Sequence, residues 1–150
     1  MTALYLVPTG THLFELPNKI GLPQQQYFAV QQIYRGWAWF GVVVFAAIAA
    51  NFAAALMLRL HRRRAWPALA AGLLLVASLI VFFVWTYPAN RATVNWTVVP
   101  ANWRILRLDW ELSHAVNALL TFLALCCAIV SAMAGRAASG ASIAEVRDGV

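Results

Sequence analysis

Residues 41–85 decide the fold, and they read GVVVFAAIAANFAAALMLRLHRRRAWPALAAGLLLVASLIVFFVW. Two apolar runs of roughly 20 residues flank a short basic segment, and a run of that length crosses the hydrocarbon core of a bilayer as a helix. The basic segment contains Arg59, Arg62, Arg63 and Arg64. Short arginine-rich loops between spans are typical of the cytoplasmic side. We therefore expect a membrane protein whose turn at this point faces the cytoplasm.

The composition of the whole chain agrees with that expectation. Of its 150 residues, 63% are hydrophobic and only 11% are charged, whereas a soluble domain carries about 25% charged residues. The mean hydropathy is +0.71. The net charge of +6 would suggest nucleic-acid binding in a soluble protein, but this apolar chain has no soluble basic face to bind it. The bilayer itself is the partner that the composition predicts, and nucleic acid is not.

Four transmembrane helices are predicted, at residues 2–16, 36–60, 66–87 and 104–134, which makes the fold an all-α integral membrane bundle. The first is short, about 22 Å at 1.5 Å per residue against a core of roughly 30 Å. Pro88 is expected to end the third span. Residues 1–134 then form one transmembrane domain, and residues 135–150 form a flexible cytoplasmic tail. Both termini are predicted in the cytoplasm of a multi-pass protein of a bacterial inner membrane.

Two further features concern local structure. A glutamine-rich linker at residues 17–34 is too polar for bilayer depth, and a short helix is expected at 24–34. Within the second span, Ala46, Ala50 and Ala54 recur every four positions. Small residues at that spacing let helices approach closely in lipid, so this stripe is predicted to face a neighbouring helix.

Histidines and carboxylates gather at the predicted outer face. His12 and Glu15 lie near the end of span one, Glu111 and His114 lie near the end of span four, and each pair shares one helix face. Together they are a candidate ligand set for a single Fe, Cu or Zn ion. A complete di-iron site would need carboxylates that spans two and three lack. The alternative, without metal, is an ion-pair network with arginines at positions 35, 91, 104 and 107.

A polar and aromatic stripe follows the fourth span at spacings of three and four. Its members are Trp103, Arg107, Trp110, Glu111, His114, Asn117 and Thr121. Such a stripe is too polar to face lipid and is expected inside the bundle or along a wet cavity. The sequence predicts a pocket with aromatic walls and few polar anchors, open to the outer face; packing with buried hydrogen bonds is the alternative.

The stretch at 87–114 combines Pro88-Ala89-Asn90, Trp96, Pro100-Ala101-Asn102-Trp103, Arg107, Trp110, Glu111 and His114. It resembles the anthrone-oxygenase-like family of small four-helix membrane proteins. The activity that this resemblance implies, which belongs to only part of the family, is oxygenation of a polycyclic anthrone to a quinone. The positions that match the shared pattern, and so are implied to line a common site, are Asn90, Trp96, Trp103, Arg107, Trp110 and His114.

These observations lead to one functional hypothesis and two alternatives. The hypothesis is an oxidoreductase or oxygenase that acts on a hydrophobic small molecule. Its catalytic residues would be His114, Glu111 and Arg107, and its substrate-binding residues would be Asn90, Trp96, Trp103, Trp110 and Asn117. One alternative is a haem or quinone electron carrier with His12 and His114 as axial ligands. The other is a non-catalytic accessory or binding subunit, as a homo-oligomer or within a larger membrane complex.

Overall fold

The computed structural model describes the backbone of residues 1–148 and the side chains of residues 1–134. Every regular element in that part is helical, as predicted. The predicted flexible tail, at 135–150, lies outside the residues whose side chains are described. The candidate site and both buried clusters lie within residues 1–134, where side-chain contacts can be followed.

The part of the chain that the structure describes, residues 1–148, contains six α-helices: α1 (Thr2–Lys19), α2 (Gln24–Gln31), α3 (Phe40–Met57), α4 (Arg62–Val81), α5 (Tyr87–Ala92) and α6 (Trp103–Asp148). Two single 3₁₀ turns, Gln32–Tyr34 and Trp37–Trp39, connect α2 to α3. The helix predicted at 24–34 is therefore confirmed as α2 and the turn that follows it. This short segment folds back against α6 and brings its tyrosines to the site.

Three helical stretches among the described residues are long and apolar enough to cross a membrane. They are Trp37–Met57, Arg62–Ala92 and Trp103–Ala134, with mean hydropathies of 2.2, 2.6 and 2.2. Helix α1 is not among them, because prolines and polar side chains interrupt its apolar run. It packs against α6 and α3 instead. The structure thus supports a helical protein with three candidate spans, and the fourth span stays a prediction.

Pro88 does not end the third span, contrary to the sequence prediction. The helical path continues through a π-helical segment, Phe82–Thr86, into α5, and Pro88 lies in the first turn of α5. Inside a regular α-helix a proline ring clashes with the carbonyl four residues earlier. The wider π turn, in which the Tyr87 amide bonds the Phe82 carbonyl, accommodates the ring and carries the helix on to Ala92.

Two separate clusters of buried residues hold the bundle together. The aromatic cluster consists of Tyr27, Ala89, Trp96, Trp103 and Trp110. The small-residue cluster consists of Val44, Ala47, Ala71, Leu75 and Ala124, and it joins α3, α4 and α6. Helices α3 and α4 approach so closely that a Cβ added at Gly72 would lie 3.1 Å from the ring of Phe52.

Most of the predicted alanine stripe of α3 does not face another helix of this chain. Ala46 and Ala50 are exposed on the surface of the protein, and the buried face carries Val44, Ala47 and Asn51. The reason is Asn51, whose amide donates to the Thr2 hydroxyl at 3.0 Å and to the carbonyl of Ala47 at 2.8 Å. An amide exposed to lipid would leave these hydrogen bonds unmade, so Asn51 sets which face of α3 turns inward.

Candidate functional site

The polar and aromatic stripe of α6 faces the interior, as its composition predicted. Trp110, Glu111, Asn117 and Thr121 are all buried. Glu111 is the most unusual of them, because its side chain has no exposed surface at all. A carboxylate in such a place requires a partner, and the partners come from a different part of the chain.

Lys19, the last residue of α1, supplies the charge that faces Glu111. Its ammonium nitrogen lies 3.3 Å from Glu111 Oε1, and the Lys19 side chain is only 3% exposed. The ammonium also lies 4.5 Å from the ring centroids of both Tyr34 and Trp110. A cation held against aromatic faces gains further electrostatic stabilisation when it is removed from water. Lys19 therefore lies in an aromatic box with a buried counter-ion.

Two tyrosines complete the hydrogen bonds of the carboxylates. The hydroxyl of Tyr27 donates to Glu111 Oε1 at 2.9 Å and accepts from the Gln31 amide at 2.5 Å. The hydroxyl of Tyr34 donates to Glu15 Oε2 and accepts from the Lys19 ammonium at 2.7 Å. Lys19 also lies 3.6 Å from Glu15 Oε2. Both carboxylates, the ammonium and both phenols thus form one connected network, which we call the Lys19 network.

Both phenols keep their protons at neutral pH. Burial raises the pKa of Tyr27, and the negative charge of Glu111 beside it raises that pKa further. Burial likewise raises the pKa of Tyr34, with the hydrogen bond to Glu15 acting in the same direction. Each phenol therefore acts as a hydrogen-bond donor to a carboxylate and not as a second anion.

The two histidines of the predicted site meet next to this network. The ring centroids of His12 and His114 are 4.1 Å apart, and the Trp110 ring lies 4.1 Å from His114 and 5.0 Å from His12. Axial imidazoles on opposite sides of a haem iron would have centroids roughly 6 Å apart, so a haem does not fit between them. Nδ1 of His12 is buried and has no hydrogen-bond partner within the described part of the chain.

The predicted metal ligands are only partly brought together. The histidines are close enough to bind the same ion, but Glu15 and Glu111 are engaged by Lys19 and the two tyrosines. Among residues 1–134, no three side chains of His, Cys, Asp or Glu form a group that could hold a metal ion. A single Fe, Cu or Zn ion at His12, Glu15, Glu111 and His114 remains a prediction.

Asn90 organises the tryptophans. Its Oδ1 accepts hydrogen bonds from the indole nitrogens of Trp96 at 3.1 Å and Trp110 at 2.9 Å. Trp96 reaches this position because Val94, Asn95 and Trp96 itself have φ angles of 48°, 54° and 63°, a left-handed turn that residues with side chains rarely adopt. Asn90, Trp96 and Trp110 are therefore fixed to one another, and their predicted contact with substrate is untested.

Arg107 pairs with no acid among residues 1–134, contrary to the ion-pair alternative. Its guanidinium donates to the backbone carbonyl of Leu22 at 2.8 Å and lies 4.9 Å from the ring centroid of Trp103. Arg35 bonds Gln32. Both ion pairs found within residues 1–134 belong to Lys19. Arg107 thus ties the α1–α2 connection to α6 and holds Trp103 in place.

Three residues of the Lys19 network were missed by the sequence reasoning: Lys19, Tyr27 and Tyr34. All three belong to the linker region that was set aside as polar and external. One sequence feature could have identified Tyr27: it lies four positions before Gln31, so the two polar side chains share a face of α2. Their common orientation toward α6 depends on how the segment folds back, which no local pattern specifies.

An open groove of about 510 Å³ leads to the network from the surface. Its lining includes Phe14, Glu15, Asn18, Lys19, Leu22 and Val30. This volume lies within the range of small-molecule sites. Of the predicted site residues, Glu15 lines the groove, whereas Asn90, Trp96, Trp103 and Trp110 lie in packed structure behind it. The groove therefore reaches the Glu15 and Lys19 end of the network, between α1 and α2, whereas Glu111 and the two histidines lie outside its lining.

The arrangement is suited to proton transfer. Only one oxygen of Glu111 is engaged by Tyr27 and Lys19, and Oε2 is buried with no hydrogen-bond partner within residues 1–134. A carboxylate held away from water can accept a proton, and an ammonium nearby can stabilise an oxyanion that forms as the proton leaves. The imidazoles of His12 and His114, 4.1 Å apart, are further groups that can accept a proton. The resemblance to the anthrone-oxygenase-like family remains a prediction, because comparison with family models, curated proteins and solved structures finds no match to this chain.

Proposed function

We propose that this protein is a membrane oxidoreductase of the oxygenase type, acting on a hydrophobic small molecule at the Lys19 network. The observation that carries the proposal is Glu111, a fully buried carboxylate whose Oε2 has no hydrogen-bond partner within residues 1–134 and whose Oε1 lies 3.3 Å from the Lys19 ammonium. His114 follows three residues later on the same helix, and its ring lies 4.1 Å from that of His12. Isolated charges are costly inside a membrane protein and mark functional sites.

In the proposed reaction Glu111 removes a proton from an activated C–H bond of the substrate. Lys19 stabilises the negative charge that develops on the neighbouring carbonyl oxygen. Molecular oxygen is the oxidant: a CH₂ group and one O₂ become a carbonyl and one water. His114 lies next to Trp110 in the same site and takes up the second proton, and both protons then pass to the oxygen atom that leaves as water. The protein supplies the base, the cation and a dry site, which keep the carbanion from being reprotonated by water.

The proposal also covers the membrane arrangement. Helix α1 completes a four-helix bundle of the anthrone-oxygenase-like type, with both termini in the cytoplasm of a bacterial inner membrane. Its support is the packing of α1 against α6 and the position of Arg62 and Arg63 in the first turn of α4. Cysteine labelling at the two ends of α1, with a membrane-impermeant reagent, would report on opposite sides of the membrane if α1 spans.

Activity is tested with dihydroxyanthrone, whose oxidation to the anthraquinone is followed by absorbance in protein-containing nanodiscs under air. Glu111→Gln and His114→Ala are each expected to lower the protein-dependent rate by about 100-fold, a typical loss for a general base. Asp109→Asn and His61→Ala are the matched controls, since they make the same chemical changes outside the network. Metal content is measured on the same samples.

Two results would overturn the proposal. One is a wild-type rate equal to that of empty nanodiscs with dihydroxyanthrone and with other enolisable aromatic ketones. The other is an unchanged rate in Glu111→Gln. If either occurs and the protein co-purifies with a larger membrane complex, the accessory-subunit alternative is favoured. Iron, copper or zinc that is present in the wild type and lost in His114→Ala would place a metal at the histidine pair.

A further inference from the structure

The groove between α1 and α2 has two chemically different parts. Phe14, Leu22 and Val30 form apolar walls, and Glu15, Asn18 and Lys19 provide polar groups. The second surface groove, of about 400 Å³, is lined by Ala38, Trp39, Gly41, Val42 and Phe45. It carries no charged side chain. The first groove is therefore equipped to bind a molecule that has both a polar head and an apolar body.

The charges of the groove exclude charged head groups. Glu15 and Lys19 lie 3.6 Å apart, so an anionic head would face the carboxylate and a cationic head would face the ammonium. A neutral group that both donates and accepts a hydrogen bond satisfies this pair without leaving a charge unpaired. A hydroxyl group meets that requirement.

Within the protein, the pair formed by Glu15 and Lys19 already binds one hydroxyl group, that of Tyr34. The phenol of Tyr34 donates to Glu15 Oε2 and accepts from Lys19. Both contacts of Glu15, with Tyr34 and with Lys19, use Oε2, so Oε1 takes part in neither. The exposed amide of Asn18, on the same groove wall, can donate to the oxygen of a hydroxyl that bonds Oε1. The groove thus offers a second phenol-binding position opposite Tyr34.

The surface of α1 provides a path for an apolar tail. Leu4, Val7, Thr11, Phe14 and Asn18 follow at spacings of three and four and so share one face of the helix. On that face Leu4, Val7 and Phe14 are exposed, Phe14 by 80%. A ring beside Phe14 would gain an aromatic contact, and a tail extending from it would lie along Val7 and Leu4. The polar end of the groove and this apolar face together fit an elongated molecule with a polar head, a ring and an apolar tail.

We propose that the groove binds a single-ring phenol with an apolar tail, an alkylphenol or the quinol form of a long-chain quinone, with its hydroxyl on Glu15 and Asn18 and its ring against Phe14. This inference rests on the proposed function, because it takes the Lys19 network to be a small-molecule site. A simple alkylphenol has no CH₂ group beside a carbonyl, so it is a ligand of the groove and not a substrate of the reaction proposed above. It concerns binding alone and does not require a redox step.

The test uses a fluorine-labelled alkylphenol and its methyl ether with protein in nanodiscs, followed by fluorine NMR line broadening. The methyl ether enters lipid at least as well but lacks the donor hydrogen, so it controls for partition. The phenol is expected to bind saturably and at least about tenfold more tightly than the ether, as for one lost hydrogen bond to a charged group. Phe14→Ala and Glu15→Gln are each expected to weaken phenol binding by a similar factor.

Phe45→Ala is the matched control for Phe14→Ala, since Phe45 is 58% exposed in the uncharged groove, and it should leave binding unchanged. Asn18→Ala, at an exposed position, replaces Glu15→Gln if the latter fails to fold. Equal binding of phenol and ether, or unchanged binding in both Phe14→Ala and Asn18→Ala, overturns the inference. Tighter binding of an alcohol or fatty acid with the same tail also overturns it, in favour of a lipid groove.

The two proposals fail separately. Loss of dihydroxyanthrone oxidation in Glu111→Gln would support the proposed oxidoreductase. Equal binding of phenol and ether in the same protein would contradict the inference that the groove binds phenols. Saturable phenol binding that depends on Phe14, without any oxidation, would leave a phenol-binding membrane protein whose Glu111 is not a base.

Discussion

The aromatic cluster and the small-residue cluster lie in the same bundle but are held together by different interactions. Around the small-residue cluster, α3, α4 and α6 meet through alanine, glycine and leucine side chains. Around the aromatic cluster, indoles, phenols and a buried ion pair are joined by hydrogen bonds. Lipid is as apolar as leucine, so helices associate through close packing and polar contacts. Close packing holds the helices together around the small-residue cluster, and polar contacts do so around the aromatic cluster.

The comparison indicates where function resides. Close packing of small residues suffices to hold membrane helices, and a buried ion pair is weak evidence for stability because desolvation offsets its attraction. The bundle therefore did not need Lys19 and Glu111 in order to fold. Their presence at the end where a groove opens supports a role in chemistry. The predictions below test this division, beginning with the change that should cost most.

Removing Lys19 should cost the most stability. Lys19→Met leaves the buried Glu111 carboxylate without its counter-ion, and we expect a loss of about 3 kcal/mol in the free energy of unfolding. The double variant Lys19→Met/Glu111→Leu should recover a large part of that loss, since no buried charge remains. Unfolding by SDS in mixed micelles measures both. Additive losses in the double variant would show that the pair is not coupled.

Asn90→Leu comes next. The change removes the common acceptor of the Trp96 and Trp110 indoles and buries two unsatisfied N–H groups, at an expected cost of about 2 kcal/mol. The cost should shrink when Trp110 is first replaced by Phe, because one of the donors is then absent. The same unfolding assay applies. A cost that is independent of Trp110 would mean that Asn90 matters for the backbone turn and not for the indoles.

Gly72→Ala tests the small-residue cluster. The added methyl would lie 3.1 Å from the Phe52 ring, and we expect a cost of about 1 kcal/mol for the overpacking. Gly41→Ala, also in a helix, is the control, because nothing lies within 4 Å of a Cβ there; it should be neutral or slightly stabilising. Phe52→Leu should relieve the strain of Gly72→Ala. Equal effects at both glycines would contradict the close approach of α3 and α4.

The smallest effect is expected for Thr86→Val. It removes the hydrogen bond between the hydroxyls of Thr86 and Ser113, 2.7 Å apart, while keeping the shape of the side chain. Hydrogen bonds between membrane helices contribute about 0.6 kcal/mol on average, and we expect a loss of that size. A cost as large as that of Lys19→Met would place Thr86 within the same coupled network and extend the polar end of the bundle.

The sequence predicted the orientation of α6 because helical periodicity is a local property. Trp110, His114, Asn117 and Thr121 repeat at spacings of three and four, and a polar stripe must turn away from lipid. The same local periodicity did not identify the buried face of α3. Ala46, Ala50 and Ala54 fit lipid as well as a helix interface, and spacing alone does not distinguish the two. Asn51, a residue that lipid does not tolerate, carried the information about the buried face.

The sequence alone predicted that the chain is helical and crosses a membrane, because in lipid each backbone group must be bonded within its own segment. Of the four spans that it predicted, three coincide with helices long and apolar enough to cross. It also placed Glu111 and His114 on an inward face. Only the tertiary structure decided what surrounds them. Tyr27 bonds Glu111 across 84 residues of sequence, and Lys19 enters the same site from the end of α1. Which side chains meet depends on how α1 and α2 pack on α6, and that packing is not a local property of any segment.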